Sequence, residues 1–191
     1  ELITFLEKEV GKDNFVLFLT ADHAAVDVPS YLLDQKIPAG YTNLAYAGHL
    51  FDSLLKVQLG IPDDKGKFIS KTVNQQIYLN HDFMEQMKIS SYEVEEFFTE
   101  SFKKLKGVLQ IYSSYDMQKN DYTDLVPSMI QNGFYETRSG DLIINLEPGW
   151  VEFYKTGTTH GSPYSYDSHV PLIWYGKKIP AVFTNELTPI T

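Results

Sequence analysis

Apolar side chains recur every three to four positions in several stretches of the chain, a spacing that predicts amphipathic helices. The predicted helices cover residues 2–10, 46–59, a stretch from Ser90 that closes at Gly107, and residues 122–132, which Gly133 ends. The third begins with Ser90-Ser91-Tyr92-Glu93, a capping-box sequence in which serine and glutamate side chains bond the backbone N–H groups left open at a helix start. Gly60 and Pro62 are expected to end the second helix.

Other stretches favour strands. Residues 15–19 form a continuous apolar run without polar alternation, which is typical of a strand buried on both faces of a largely parallel sheet. Further short strands are predicted at residues 67–70, 75–79, 108–112, 141–146, 150–154, 171–175 and 179–183. Residues 27–41, with two prolines and a glycine, are predicted to be loop. The patterns together predict an α/β fold with a mixed, largely parallel sheet and flanking helices.

Composition narrows the range of functions. The 191 residues are 43% hydrophobic and 21% charged, which is typical of a globular chain. The net charge is −9 and no run of Lys or Arg occurs, so binding to nucleic acid or to an anionic membrane through a basic face is not expected. No apolar run approaches the roughly 18 residues that span a bilayer. The absence of cysteine excludes disulfides, thiolate metal sites and cysteine nucleophiles.

The start of the chain bears on its domain organisation. The sequence begins at Glu1, directly at the first predicted helix and without a Met or a signal segment. No internal repeat and no linker long enough to divide two domains are present. We expect residues 1–191 to form one domain that is the carboxy-terminal portion of something longer, with an intact small domain as the alternative.

Asp22 and His23 follow the apolar run 15–19 directly. In open α/β sheets, ligands bind beyond the carboxyl ends of the strands. A carboxylate and an imidazole at the break between strand and loop can turn toward one cation, and both are suitable zinc ligands. The alternative is a helix-capping aspartate beside a surface histidine.

A second group of polar residues lies in the segment 157–172. Its Gly, Pro and Thr content predicts a loop, yet the segment contains His160, Asp167 and His169 and leads into an apolar strand. Long polar loops rooted on buried strands often carry ligand-binding residues. The alternative is a structural turn in which His160 bonds to the backbone.

These segments resemble the alkaline phosphatase superfamily, and most closely its bacterial phosphodiesterase and nucleotide-pyrophosphatase-like branch, which includes alkaline phosphatases with a threonine nucleophile. The resemblance is carried by Leu19-Thr20-Ala21-Asp22-His23-Ala24, by Thr159-His160-Gly161-Ser162 and by Tyr166-Asp167-Ser168-His169-Val170-Pro171-Leu172. It implies a partial alkaline-phosphatase-like fold in which residues 30–140 are a variable, insert-like middle region.

The resemblance also implies roles for individual residues. Asp22 and His23 match the pair that ligates the zinc ion shared with the nucleophile, and His160 matches a histidine of the other zinc ion. His169 and Asp167 would orient the loop from behind these ligands. Two such ions lie roughly 4 Å apart and stabilise both oxygens of an in-line phosphoryl displacement.

Two departures from the family pattern limit these expectations. The family has a nucleophilic Thr or Ser on an earlier strand and an Asp-x-x-x-His segment, and the chain contains no Asp-x-x-x-His. The resemblance therefore implies a carboxy-terminal portion that lacks the nucleophile and has an incomplete set of zinc ligands. We expect this piece alone to be inactive.

The expected function of the parent protein is metal-dependent hydrolysis of small phosphate monoesters or diesters, in the periplasm or outside a bacterial cell, as the resemblance implies. Two alternatives stay open. One is a sulfate- or phosphonate-ester hydrolase of the same superfamily, and the other is a non-catalytic α/β interaction module. His49 and His81 are predicted to be structural.

Overall fold

The computed structural model describes residues 1–152, 156–186 and 188. They form two compact units, which we name the terminal unit (Glu1–Asp22 with His169–Thr191) and the central unit (His23–Ser168). The single domain over residues 1–191 and the variable middle at 30–140 stay predictions.

Helices and strands alternate along the chain. The helices are α1 Leu2–Val10, α2 Pro29–Asp34, α3 Leu44–Leu59, α4 His81–Met87, α5 Ser91–Phe102, α6 Ser114–Lys119, α7 Leu125–Gly133 and α8 Ser165–Ser168. The strands are β1 Val16–Leu19, β2 Gly40–Thr42, β3 Ile69–Val73, β4 Gln76–Leu79, β5 Val108–Ser113, β6 Leu142–Leu146, β7 Trp150–Glu152 and β8 Ile173–Gly176. The mixed α/β class predicted from sequence is confirmed. None of the helices in the described residues is long and apolar enough to cross a membrane.

The terminal unit is built on an antiparallel pair of strands. β1 pairs with β8, and Val16 lies opposite Gly176. The Tyr175 hydroxyl donates a hydrogen bond to the Glu7 carboxylate at 2.6 Å, which attaches α1 to β8. The helix predicted over residues 2–10 is confirmed by α1.

Strand β1 corrects one prediction. Its apolar run was expected to be buried on both faces, but Val16, Phe18 and Leu19 are each more than half exposed. Within the described residues, β1 has a single neighbouring strand, β8. An apolar run shows that a strand is suited to burial, but it does not supply the layers that would cover it.

The central unit contains a four-stranded sheet in the order β3-β4-β6-β5, and all its pairings are antiparallel. Among the described strands, only β2 and β7 pair in parallel, so the expected predominance of parallel pairing is wrong. The reason at β3 and β4 is local. Asn74 and Gln75 both have positive φ, which gives a two-residue turn, and so tight a turn joins only antiparallel strands.

Helices α3 and α5 pack on this sheet around an apolar core. Its fully buried side chains include Leu44, Phe68, Ile77, Phe98, Phe102, Leu142 and Ile144. Buried Asp52 on α3 accepts hydrogen bonds from the N–H groups of Phe68 (2.7 Å) and Ile69 (2.9 Å), which fixes the helix to the start of β3. Lys56 lies 3.3 Å from the same carboxylate and balances its buried charge.

A smaller core lies within the segment predicted to be loop. Residues 27–41 contain α2 and β2, and Val26, Leu32, Ala39 and Val151 are buried together there. Pro29 marks the helix start, where its missing N–H costs nothing. Gly40 is required because an added Cβ would lie 2.6 Å from the Trp150 ring. Pro29 thus begins a helix and Gly40 allows the backbone to approach the Trp150 ring, so neither residue indicates a loop here.

Three element ends also differ from prediction. Residues 179–183 are not a strand. The pairing of β8 with β1 ends at Gly176, opposite Val16, and the chain makes no further strand pairing at 179–183. The helix from Ser90 ends at Phe102 rather than near Gly107, and the Ser90 side chain makes no capping hydrogen bond. The strand predicted over 150–154 is β7 as far as Glu152, and residues 153 and 154 lie outside the described residues.

Glu95 on α5 gives the central unit a testable pH dependence. Burial raises the pKa of this carboxyl from 4.5 to about 7, and the nearby Asp141 charge adds to the increase. The folded state therefore binds the proton more tightly, so the contribution of this carboxyl to stability is greatest below pH 4.5 and is lost as the pH rises through 7.

We expect Glu95→Gln to raise the free energy of unfolding at pH 8 by about 1 kcal/mol and to leave it unchanged at pH 4. Urea denaturation at the two pH values measures this difference. Glu93→Gln, an exposed change on the same helix, is the control. An equal gain at both pH values would contradict the assignment.

Candidate active site

Two histidine rings lie face to face in the central unit. The ring centroids of His23 and His160 are 3.5 Å apart and their planes differ by 9°. Both side chains are exposed. His23 and His160 are distant in sequence, so the fold brings them together.

The contact of His23 with the backbone defines its chemistry. Its Nδ1 lies 2.7 Å from the carbonyl oxygen of Ala24. Because a carbonyl can only accept, Nδ1 must carry the proton, and the lone pair of the neutral ring is on Nε2. This arrangement is typical of metal-binding histidines, in which the second ring nitrogen donates to a carbonyl.

The loop that carries His160 is tied to the chain near His23. The Thr158 hydroxyl donates to the carbonyl of Val26 at 2.5 Å. The Tyr41 hydroxyl, on β2, donates to the carbonyl of Gly157 at 3.2 Å. The loop is thus held on the smaller core that contains α2 and β2.

Tyrosines anchor the same loop to the end of β6. The Tyr164 hydroxyl donates to the carbonyl of Leu146 at 2.6 Å, and the Gly149 N–H donates to the Tyr166 hydroxyl at 3.2 Å. Burial raises the pKa of Tyr164, so this hydroxyl keeps its proton and acts as a donor. The two tyrosines fix a segment whose Gly and Pro content would otherwise allow many conformations.

Asp167 lies on α8 and is 3% exposed. Its Oδ2 accepts a hydrogen bond from the Ser162 N–H at 2.6 Å, and its main-chain oxygen accepts one from the Ala24 N–H at 2.8 Å. The contacts of this residue reach the neighbourhoods of both histidines. The role of Asp167 in orienting the loop stays a prediction.

The predicted site residues are divided between the two units. His23, His160 and Asp167 lie in the central unit, whereas Asp22 and His169 belong to the terminal unit. Asp22, which directly precedes His23 in the chain, and His169 are exposed. The ligand role of Asp22 and the orienting role of His169 stay predictions.

The paired rings suit a site for two metal ions. Each ring carries nitrogen atoms of the type that bind metal ions, and two-metal sites hold their ions about 3.5–4 Å apart. Within the described residues, however, no group of three or more His, Cys, Asp or Glu side chains is arranged to hold a metal ion. Since a catalytic zinc ion takes three protein ligands, these residues fit part of a zinc site.

A cavity of about 270 Å³ lies beside the His160 loop, and sequence analysis did not identify it. Its polar lining comes mainly from amide side chains and its apolar lining from α7 and β6. Lining residues include Asn74, Gln75, Met129, Ile143, Asn145 and Ser162. Asn-Gln at a hairpin turn was the available sequence signal, but nothing in it indicates a cavity.

Two other histidines, His49 and His81, lie away from the pair in sequence. His81 starts α4, as predicted, and its Nε2 lies 2.7 Å from an Asp141 carboxylate oxygen. His49 is exposed on α3. The prediction that both are structural remains the simplest interpretation.

Comparison with known proteins places this geometry in context. No family model matches the chain. The chain is 30% identical to a protein from Myroides odoratus named a calcium-transporting ATPase, and the match covers 100% of the chain and 34% of that relative. It is also 30% identical to alkaline phosphatase PafA from Elizabethkingia meningoseptica, with 95% of the chain and 32% of the relative covered.

The fold agrees with the sequence relationship. The crystal structure of wild-type alkaline phosphatase PafA matches 96% of this chain and 34% of its own, with a TM-score of 0.85 and 29% identity. The chain therefore spans about a third of the length of the curated relatives it matches.

Proposed function

We propose, since the chain belongs to the alkaline phosphatase superfamily, that it forms part of a metal-dependent hydrolase of small phosphate esters. The relatives named alkaline phosphatases and the shared fold support phosphate-ester hydrolysis at the level of the family. The observation that carries the proposal for this chain is the stacked pair His23 and His160, which lies on the two segments that bear the superfamily motifs.

The residues of this chain would hold zinc from one side. His23 would bind one ion through Nε2, with its tautomer fixed by the Ala24 carbonyl, and Asp22 would add a carboxylate oxygen to the same ion. His160 would bind the second ion. When bound, zinc ions neutralise the developing charge on the phosphoryl oxygens and stabilise the attacking and leaving oxygens.

Other parts of the parent protein would complete the site. The described residues supply an incomplete ligand set, and the nucleophilic Thr or Ser implied by the superfamily has no counterpart in the motifs of this chain. We therefore propose that the chain alone is inactive. Its contribution is to position two imidazoles as ligands of the ions. Other parts of the parent protein would supply the remaining ligands of the same ions.

The setting of the parent protein follows from the same family likeness. We propose a periplasmic or secreted location and a small phosphate ester as the substrate. The net charge of −9 argues against nucleic acid as a partner. Positive charge at the site would come from the metal ions, which an acidic chain accommodates without a basic surface.

A panel of esters tests the proposal on the intact protein supplied with zinc. We expect hydrolysis of p-nitrophenyl phosphate or bis(p-nitrophenyl) phosphate to be faster than that of p-nitrophenyl sulfate or a phosphonate ester. Faster hydrolysis of the sulfate or the phosphonate would move the protein to the alternative hydrolase class. No hydrolysis of any ester by the zinc-loaded protein would favour the interaction module.

A further inference from the structure

One residue contacts the backbone next to both histidines. Asp167 binds Ala24, the residue after His23, through its main-chain oxygen at 2.8 Å. It binds Ser162, two residues after His160, through its carboxylate at 2.6 Å. The two hydrogen bonds hold the backbone beside each histidine, and both are made by one buried residue.

The turn at His160 requires such support. Gly161, between His160 and Ser162, has a φ of +104°, in the region that favours glycine, and nothing lies within 4 Å of the place where its Cβ would be. Neither packing nor a side chain at Gly161 therefore holds the turn. The hydrogen bond from the Ser162 N–H to the Asp167 carboxylate restrains the turn directly after Gly161, in addition to the contacts that hold the rest of the loop.

Asp167 also shares part of its surroundings with His160. It lines the same small cavity as the His160 side chain, together with Ser162. Among the described residues, Oδ1 of Asp167 and Oγ of Ser162 are buried without a hydrogen-bond partner.

We infer that Asp167 is a positioning residue that holds the His23 and His160 rings in register for zinc. The inference rests on the proposed function, because zinc is the ligand that the two rings would share. Asp167 acts through the histidines and does not itself touch the metal. Its replacement should therefore weaken zinc binding more than it weakens the fold.

The chain offers a matched control in Asp141. Its carboxylate accepts a hydrogen bond from the Leu79 N–H at 2.7 Å, and its main-chain oxygen accepts one from the Ser114 N–H at 2.7 Å. Like Asp167, Asp141 accepts backbone hydrogen bonds through both its carboxylate and its main chain, and its other carboxylate oxygen also pairs with His81 at 2.7 Å. Asp141 supports β4 and α6, which contribute neither histidine of the pair.

The experiment measures zinc affinity by competition with a chelator and thermal stability by calorimetry, on the intact protein with Asp167→Asn or Asp141→Asn. We expect Asp167→Asn to weaken zinc binding by about 10- to 100-fold, which is usual for supports behind metal ligands. Excess zinc should restore most of kcat. Asp141→Asn should keep wild-type zinc affinity while changing the Tm by a similar amount.

Three results would overturn the inference. Asp167→Asn could bind zinc as tightly as the wild type, Asp141→Asn could weaken zinc equally, or Asp167→Asn could fail to fold while Asp141→Asn folds, which would make Asp167 a residue of the fold. Failure of the proposed function would be distinguishable, since the wild-type protein itself would then bind no zinc.

Discussion

Replacing His160 with alanine should lower kcat/KM of the intact protein for p-nitrophenyl phosphate by about a thousandfold or more, since a bound metal ion contributes several kcal/mol to the transition state. The ring of His160 stacks on that of His23 at 3.5 Å, so under the proposed function its loss would remove one metal ligand and a face that supports the other. Steady-state kinetics with saturating zinc measures the effect.

His49→Ala is the matched control for this change. His49 is an exposed histidine on α3, so its removal takes away an imidazole without touching the stacked pair. We expect its kcat/KM to equal that of the wild type. If His160→Ala were as active as His49→Ala, the assignment of His160 to the site would be wrong.

Replacing Phe98 with alanine should lower the free energy of unfolding by about 4 kcal/mol, the usual cost of emptying a buried aromatic site. Phe98 lies on α5 and is fully buried in the main core, where its ring centroid is 5.5 Å from that of Phe97 and 6.3 Å from that of Phe102. Its truncation leaves a cavity where α5 packs on the sheet. Urea denaturation followed by circular dichroism measures the loss.

Tyr92→Ala on the same helix serves as the control. This aromatic residue is 64% exposed, so its removal changes helix propensity but opens no cavity. We expect a loss below about 1 kcal/mol, as is usual for surface substitutions. A comparable loss in both variants would show that α5 is not anchored through Phe98.

The sequence indicated candidate site residues more readily than it indicated the strands and helices around them. Asp22-His23 after an apolar run and His160 in a polar loop were identified from residue type and position, and the family resemblance joined them into one site. In the structure His23 stacks on His160, and the role of these two segments as a metal site stays a prediction. The motifs can indicate candidate site residues because each motif is local in sequence and because a metal site uses few residue types.

The layers around the site could not be predicted in the same way. Periodicity showed that residues 15–19 form a strand, but it does not specify which strand lies alongside or what covers the faces. The antiparallel central sheet depends on pairings such as β5 with β6, which are set by long-range packing. Helix α2 was missed because Pro29 was taken as a loop signal, whereas proline is also well suited to a helix start.

The resemblance implied that Asp167 orients the loop, but the contacts through which it would do so are visible only in the structure. Its two hydrogen-bond partners are the backbone N–H groups of Ser162 and Ala24, and one of these lies far away in sequence. Backbone donors leave no residue-type signal, since almost every residue has one. The same holds for the raised pKa of Glu95, which arises from burial.

Metal dependence of phosphate-ester hydrolysis is the central claim, and removal of zinc from the intact protein tests it most directly. The kcat/KM for p-nitrophenyl phosphate is measured before chelation, after chelation and after zinc is restored. We predict that chelation lowers this value by about a thousandfold or more and that zinc restores it, since the ions carry the charge stabilisation of the transition state. Undiminished hydrolysis by the metal-free protein would contradict the account.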